Sequence, residues 1–211
     1  MGNTSFSRWL LSSLLFPRCV SGLVAGKSKT GKTTLLGFVR NMYPGPCLHL
    51  SPRATDRDVS EILRKLEKRG DSRQLTISTS NAAAVRTLLD DLFEHRSRPK
   101  SGLFLAVDEA HRFLSDRDND VFKLAFMEGR HYGLTSWYAS QKVQALPSTL
   151  ATNADVCCVG YLPGVSDANY WHSVGMETAP EPFVFNLYGH EVEDLAVEVF
   201  ASGKIRERAQ H

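Results

Sequence analysis

The sequence predicts an α/β fold with a mostly parallel central sheet flanked by helices and a β-hairpin toward the C-terminal end. Three observations carry this reading. After Pro17, short apolar runs of strand length alternate with stretches of helical spacing, the order that builds a parallel sheet through crossover helices. Leu103-Phe104-Leu105-Ala106-Val107 is apolar without interruption, as expected for a strand buried on both faces. Near the end, Phe183 to Leu187 and Leu195 to Phe200 flank Tyr188-Gly189-His190-Glu191, the pattern of a hairpin with a polar turn.

The elements follow in order. Residues 1–17 read as an amphipathic helical segment, with Phe6, Trp9, Leu10 and Leu14 near one helical face and Arg8 and Ser12 elsewhere. Its apolar run is short, ends in Pro17-Arg18 and lacks a small-x-small cleavage site, so neither a secretion signal nor a membrane span is expected. Its bare face is read as a docking surface, dispensable for the core. The main domain is expected over 18–203. Val20 to Ala25 reads as a strand, followed by a glycine-containing loop and a helix from Lys32 to Asn41. Cys47 to Ser51 is a strand bracketed by Pro44-Gly45-Pro46 and Pro52. Asp56 to Arg69 has helical spacing in Val59, Ile62, Leu63 and Leu66, and Gly70 is a natural stop. Leu75 to Thr79 is strand-like, and Asn81 caps a helix running through Leu88, Leu89, Leu92 and Phe93. After the strand at 103–107 come a helix from Val121 to Arg130, strands at Leu134 to Ser140 and Val156 to Tyr161, the hairpin, and a polar tail over 204–211.

Composition sets limits. The chain has 211 residues, 42% hydrophobic and 23% charged, with 25 Lys and Arg against 23 Asp and Glu. That excludes a disordered chain and a histone-like polycation, so any nucleic acid contact comes from a local patch. Charge is graded along the chain: residues 1–50 carry six bases and no acid, and residues 151–211 carry three bases and nine acids. Such asymmetry can mark an anion-binding end. Cys19, Cys47, Cys157 and Cys158 form no C-x-x-C pair, and the adjacent Cys157 and Cys158 would point to opposite faces of a strand. A zinc site or disulfide framework is not expected, and a reducing compartment is.

The chemistry-bearing segment is Gly26-Lys27-Ser28-Lys29-Thr30-Gly31-Lys32-Thr33, a full G-x-x-x-x-G-K-[ST] match between a strand and a helix. Its glycines let backbone N–H groups curl around phosphate oxygens, and the helix N-terminus adds its positive dipole end. Lys32 is placed to charge-pair the outer phosphates of ATP, the Thr33 hydroxyl is a hard ligand for Mg²⁺, and Thr34 extends the nucleotide-binding run. Asp108-Glu109 ends the buried strand. Asp108 there can join the magnesium shell, and Glu109 can take a proton from water attacking the γ-phosphate. Gln141 ends the strand beginning at Leu134 and can bridge the attacking water or γ-phosphate to the rest of the fold. Asp108-Glu109-Ala110-His111 spells the letters of a DEAH-box helicase, but those enzymes need two tandem domains where this chain has room for one; His111 is read as a local hydrogen-bonding residue.

The glycine loop, Asp108-Glu109, Gly129-Arg130-His131-Tyr132-Gly133, the strand ending Ser140-Gln141, and Leu146-Pro147 through Asn153-Ala154-Asp155 together resemble the FtsK–HerA superfamily of ring-forming DNA pumps. The short length is similar to the genome-packaging ATPases of icosahedral viruses with an internal membrane and double jelly-roll capsid proteins. The resemblance covers roughly residues 20–200. It implies a RecA-like sheet ordered five-one-four-three-two, a hexameric homo-oligomeric ring, and ATP-driven translocation of double-stranded DNA. It also implies that Arg130 is an arginine finger offered to a neighbouring subunit. Lys29 departs from the glycine many members carry. On this reading the protein would work in the host cytoplasm and at a virion vertex, its N-terminal segment meeting a neighbouring subunit, a capsid vertex or the viral membrane. Arg53, Arg57, Arg96, Arg98, Lys100, Arg112 and Arg117 are candidate DNA-phosphate contacts. Two rival readings stay open: a filamentous-phage-type assembly or secretion ATPase, and a nucleotide-gated binding protein without motor activity.

Overall fold

The computed structural model describes residues 6, 9, 10, 14, 18–55, 75–94, 102–114, 120–189, 192 and 195–209. Among them, nine strands form one sheet: β1 Gly22–Ala25, β2 Cys47–Leu50, β3 Thr76–Thr79, β4 Leu103–Val107, β5 Leu134–Ser140, β6 Val156–Gly160, β7 Val184–Tyr188, β8 Leu195–Val199 and β9 Ile205–Ala209. Their order across the sheet is β3-β2-β4-β5-β1-β6-β7-β8-β9. With the edge strand β3 set aside and the rest renumbered, β6-β1-β5-β4-β2 run five-one-four-three-two, the expected order. β1 to β6 pair in parallel, and β7, β8 and β9 continue antiparallel.

Helices α1 Lys32–Met42, α2 Ala82–Glu94, α3 Val121–Met127, α4 Ser148–Asn153 and α5 Val165–Ser173 cover the faces. Asn81 caps α2 as expected, its Oδ1 accepting from the Ala84 N–H at 3.0 Å. The alternation along each strand sorts side chains into two cores. Leu103, Leu105 and Val107 of β4 join Leu88, Phe122, Leu150 and Trp171 on one face. Phe104 and Ala106 join Leu35, Leu36, Val39 and Trp137 on the other. Cys157 and Cys158 go to opposite cores, and all four cysteines are free and buried. Gly22 has to be glycine: a β-carbon there would collide with the Trp137 ring.

Three expectations need correction. Phe6, Trp9, Leu10 and Leu14 are buried in the second core with Val20, Val24 and Trp137, so the apolar face of the N-terminal segment is covered by its own domain and is not a docking surface. The expected helix from Val121 to Arg130 ends at Met127, and Gly129–Tyr132 form a 3-10 turn closed by Gly133 at φ 76°. The polar tail contains β9, which pairs with β8; Arg206 and Arg208 both bond Glu198 across the strands. Helices α4 and α5 were not anticipated. The helix expected over 56–69 lies outside the described residues.

Candidate active site

The site is built on the sheet edge where the parallel strands end, outside their carboxyl termini. After β1 the loop turns back on itself because Lys29 and Gly31 adopt left-handed backbone, φ 64° and 95°. Thr30 Oγ1 donates to the Lys27 carbonyl at 2.7 Å, and Lys32 Nζ donates to the same oxygen at 2.8 Å. The Gly26 N–H bonds Ser140 O at 3.3 Å and the Lys27 N–H bonds Tyr161 O at 2.9 Å, anchoring the loop to β5 and to the end of β6. No side chain caps α1 at Gly31, which leaves its first-turn amides to an anion. Lys32 is only 5% exposed. Burial pushes its ammonium below the ordinary lysine value, and Glu109 and Asp108 pull it partly back. Ser28 is exposed and Thr34 half-buried on the first turn of α1.

β4 delivers the two acids to this loop. Asp108 Oδ2 accepts from Thr33 Oγ1 at 3.0 Å, and Oδ1 accepts from the Glu109 N–H at 3.0 Å. Both oxygens are thus oriented, one of them onto the hydroxyl that the sequence assigns to a metal. Glu109 sits in left-handed backbone, φ 53°, which turns its carboxylate away from the strand direction. Its Oε2 is buried without a hydrogen-bond partner, an orphan of the kind that functional sites retain. His111 Nδ1 lies 3.6 Å from that oxygen and 3.0 Å from Ser140 Oγ. Burial pushes the His111 ring below the ordinary imidazole value, and the nearby Glu109 carboxylate pulls it partly back.

Gln141 follows β5 directly, half-buried, beside the Ser140 that pairs with Ala25 of β1. Lys32, Thr33, Asp108, Glu109 and Gln141 therefore converge on one edge. Arg130 does not. It lies ahead of β5, at the opposite edge, and the seven residues of β5 span about 23 Å at a strand rise of about 3.3 Å. Its side chain is 53% exposed and pairs with Asp155 Oδ1 at 3.6 Å. Asp155 in turn accepts from the N–H and Oγ of Ser21 at 2.7 and 2.9 Å, tying the starts of β1 and β6 together. Of the candidate DNA contacts, Arg53 and Arg112 are exposed on the loop edge, and Arg57, Arg96, Arg98, Lys100 and Arg117 lie outside the described residues.

Sequence reasoning missed Phe183. It precedes β7, donates its N–H to Thr30 O at 3.2 Å, and lays its ring beside Gly31. Only its backbone conformation and the sheet order bring it to the loop, and neither can be read from the residue string.

No protein-family model matches the chain, and no curated protein sequence does. Solved structures do match. The genome packaging NTPase B204 of Sulfolobus turreted icosahedral virus 2, in complex with ATP-gammaS, is similar at TM-score 0.61 and 15% identity, over 93% of this chain and 100% of that one. B204, the DNA-packaging ATPase of Sulfolobus turreted icosahedral virus, follows at TM-score 0.59, 13% identity, and 92% and 98% coverage. EssC (ATPases 2 and 3) of Geobacillus thermodenitrificans is similar at TM-score 0.53 and 11% identity, over 82% of this chain and 38% of that one. At these identities the likeness is one of fold. The chain shares the α/β fold of these structures, with a glycine loop between β1 and α1.

Proposed function

We propose that the chain is an ATP-hydrolysing motor that moves double-stranded DNA into a viral capsid, working as a ring of identical subunits. The observation that carries the ATPase reading is the 3.0 Å contact between Thr33 Oγ1 and Asp108 Oδ2 beside the buried Lys32. A hydroxyl and a carboxylate are hard oxygen donors, a set that fits Mg²⁺ with phosphate oxygens and waters completing its shell. When bound, that ion would neutralise charge on the phosphates. Lys32 binds the outer phosphates, the loop amides hold the inner ones, and the Glu109 carboxylate accepts the proton of the attacking water. Gln141 orients that water from the end of β5. Arg130 lies at the opposite end of β5 from its own loop, so the ATP it would serve is that of an adjacent copy. The DNA-packaging part rests on the similarity to B204 and on the motifs that resemble that superfamily.

The test is the ATPase rate with and without double-stranded DNA, with particle mass measured in ATP. Stimulation by DNA together with a ring-sized particle supports the motor. Slow turnover indifferent to DNA supports a nucleotide-gated binding protein instead.

A further inference from the structure

Resting on the nucleotide-site reading, we infer that Phe183 is the platform on which the nucleobase stacks. The direction of the bound nucleotide follows from the sheet. Asp108 and Glu109 follow β4 and Gln141 follows β5, both strands lying on one side of β1. The hydrolysed end of the triphosphate must therefore lie toward that side, and the nucleoside end leaves the loop toward β6 and β7. Phe183 stands there. A β-carbon built on Gly31 would be 3.1 Å from Phe183 Cδ1, so the ring borders the loop at the first turn of α1.

Three features separate Phe183 from a core aromatic. It is 45% exposed, whereas Phe185, two residues on, is fully buried. It holds φ 66°, a conformation that a bulky residue adopts only when the surroundings impose it. The surroundings are visible: the Phe183 N–H is fixed to Thr30 O, and its carbonyl accepts from the Val199 N–H at 2.8 Å. The phosphate loop and the hairpin together hold an apolar ring out toward solvent. Phe200, also exposed, follows β8 at the same edge. A planar heteroaromatic ring is the ligand such a surface takes, and stacking on a phenyl face reads ring area and not the edge pattern of one base. Purine triphosphates should bind alike, ahead of pyrimidine triphosphates.

Phe183→Gly removes the ring and suits the left-handed backbone, so the fold survives and a melting curve verifies it. Affinities of wild type, Phe183→Gly and Phe183→Trp for ATP and for inorganic tripolyphosphate are measured with Mg²⁺. The expected result is a loss of about 10- to 100-fold in ATP affinity for Phe183→Gly, tripolyphosphate affinity unchanged, and ATP affinity retained by Phe183→Trp. In turnover the same variant raises KM and keeps kcat. Unchanged ATP affinity in Phe183→Gly overturns the inference. So does an equal loss for both ligands, which would make the ring a prop for Gly31. A wild-type protein that binds neither ligand would overturn the nucleotide-site reading itself, and this inference with it.

Discussion

At the carboxyl edge of the parallel strands, Lys29, Glu109 and Phe183 all hold left-handed backbone, Lys32 is buried with its charge, and Glu109 Oε2 has no hydrogen-bond partner. At the amino edge, Asp155 satisfies two donors of Ser21 and pairs with Arg130, and Leu14 O accepts from Thr135 Oγ1 at 3.2 Å. Cys19 is the one non-glycine residue described there with positive φ. The carboxyl edge concentrates left-handed backbone around a buried lysine and a carboxylate oxygen without a hydrogen-bond partner; the amino edge uses Asp155, Ser21 and Thr135 to hold strands together. The difference separates residues whose replacement should change chemistry from those whose replacement should change stability.

Among changes within one subunit's own site, Glu109→Gln should slow turnover most. The amide cannot take the proton of water, so kcat should fall by about 10² to 10⁴ while ATP still binds, as single-turnover and binding assays will show. Wild-type turnover in this variant would remove Glu109 from the mechanism. Lys32→Ala should abolish ATP binding, because the loop loses the buried charge placed at the outer phosphates. Calorimetric titration measures this.

On the structural side, Phe6→Ala should cost about 3–5 kcal/mol by denaturant unfolding, because the side chain is fully buried in the second core. Turnover per folded molecule should stay near wild type. A stable Phe6→Ala protein would return the N-terminal segment to a docking role. Ser21→Ala removes one donor to Asp155 and should cost about 1 kcal/mol, roughly 2–4 °C in Tm, with ATP affinity unchanged.

The smallest effect is a pH dependence. Burial lowers the pKa of both His49 and His111, so across the window between their folded values and the ordinary imidazole value the unfolded chain binds more protons than the native one. Stability should be full above the ordinary imidazole range and fall as pH drops through it. His111→Gln should flatten part of that slope.

Local patterns were legible and long-range ones were not. The glycine loop, the buried β4, the Asn81 cap and the β7–β8 hairpin each announce themselves within a few residues, through apolar runs and turn chemistry. β9 did not, because Ile-Arg-Glu-Arg-Ala is polar and its strand is defined by pairing with β8, where Arg206 and Arg208 meet Glu198. An amphipathic face looks the same whether its own core or a partner covers it, so the fate of Phe6 and Trp9 needed the packed structure. Arg130 follows the same logic. Its motif is readable, but its distance from its own loop depends on β5 running the full depth of the sheet.

The claim that the two edges of neighbouring copies build one hydrolytic site is tested most directly by mixing two inactive variants. Arg130→Ala keeps an intact loop but offers no guanidinium, and should lose about 10³ to 10⁵ in rate while still binding ATP. Lys32→Ala keeps the guanidinium but cannot hold nucleotide. In mixed oligomers confirmed by mass, some interfaces pair an intact loop with an intact Arg130, and partial ATPase activity should return. No recovery in confirmed mixtures would contradict the account and confine Arg130 to its bond with Asp155.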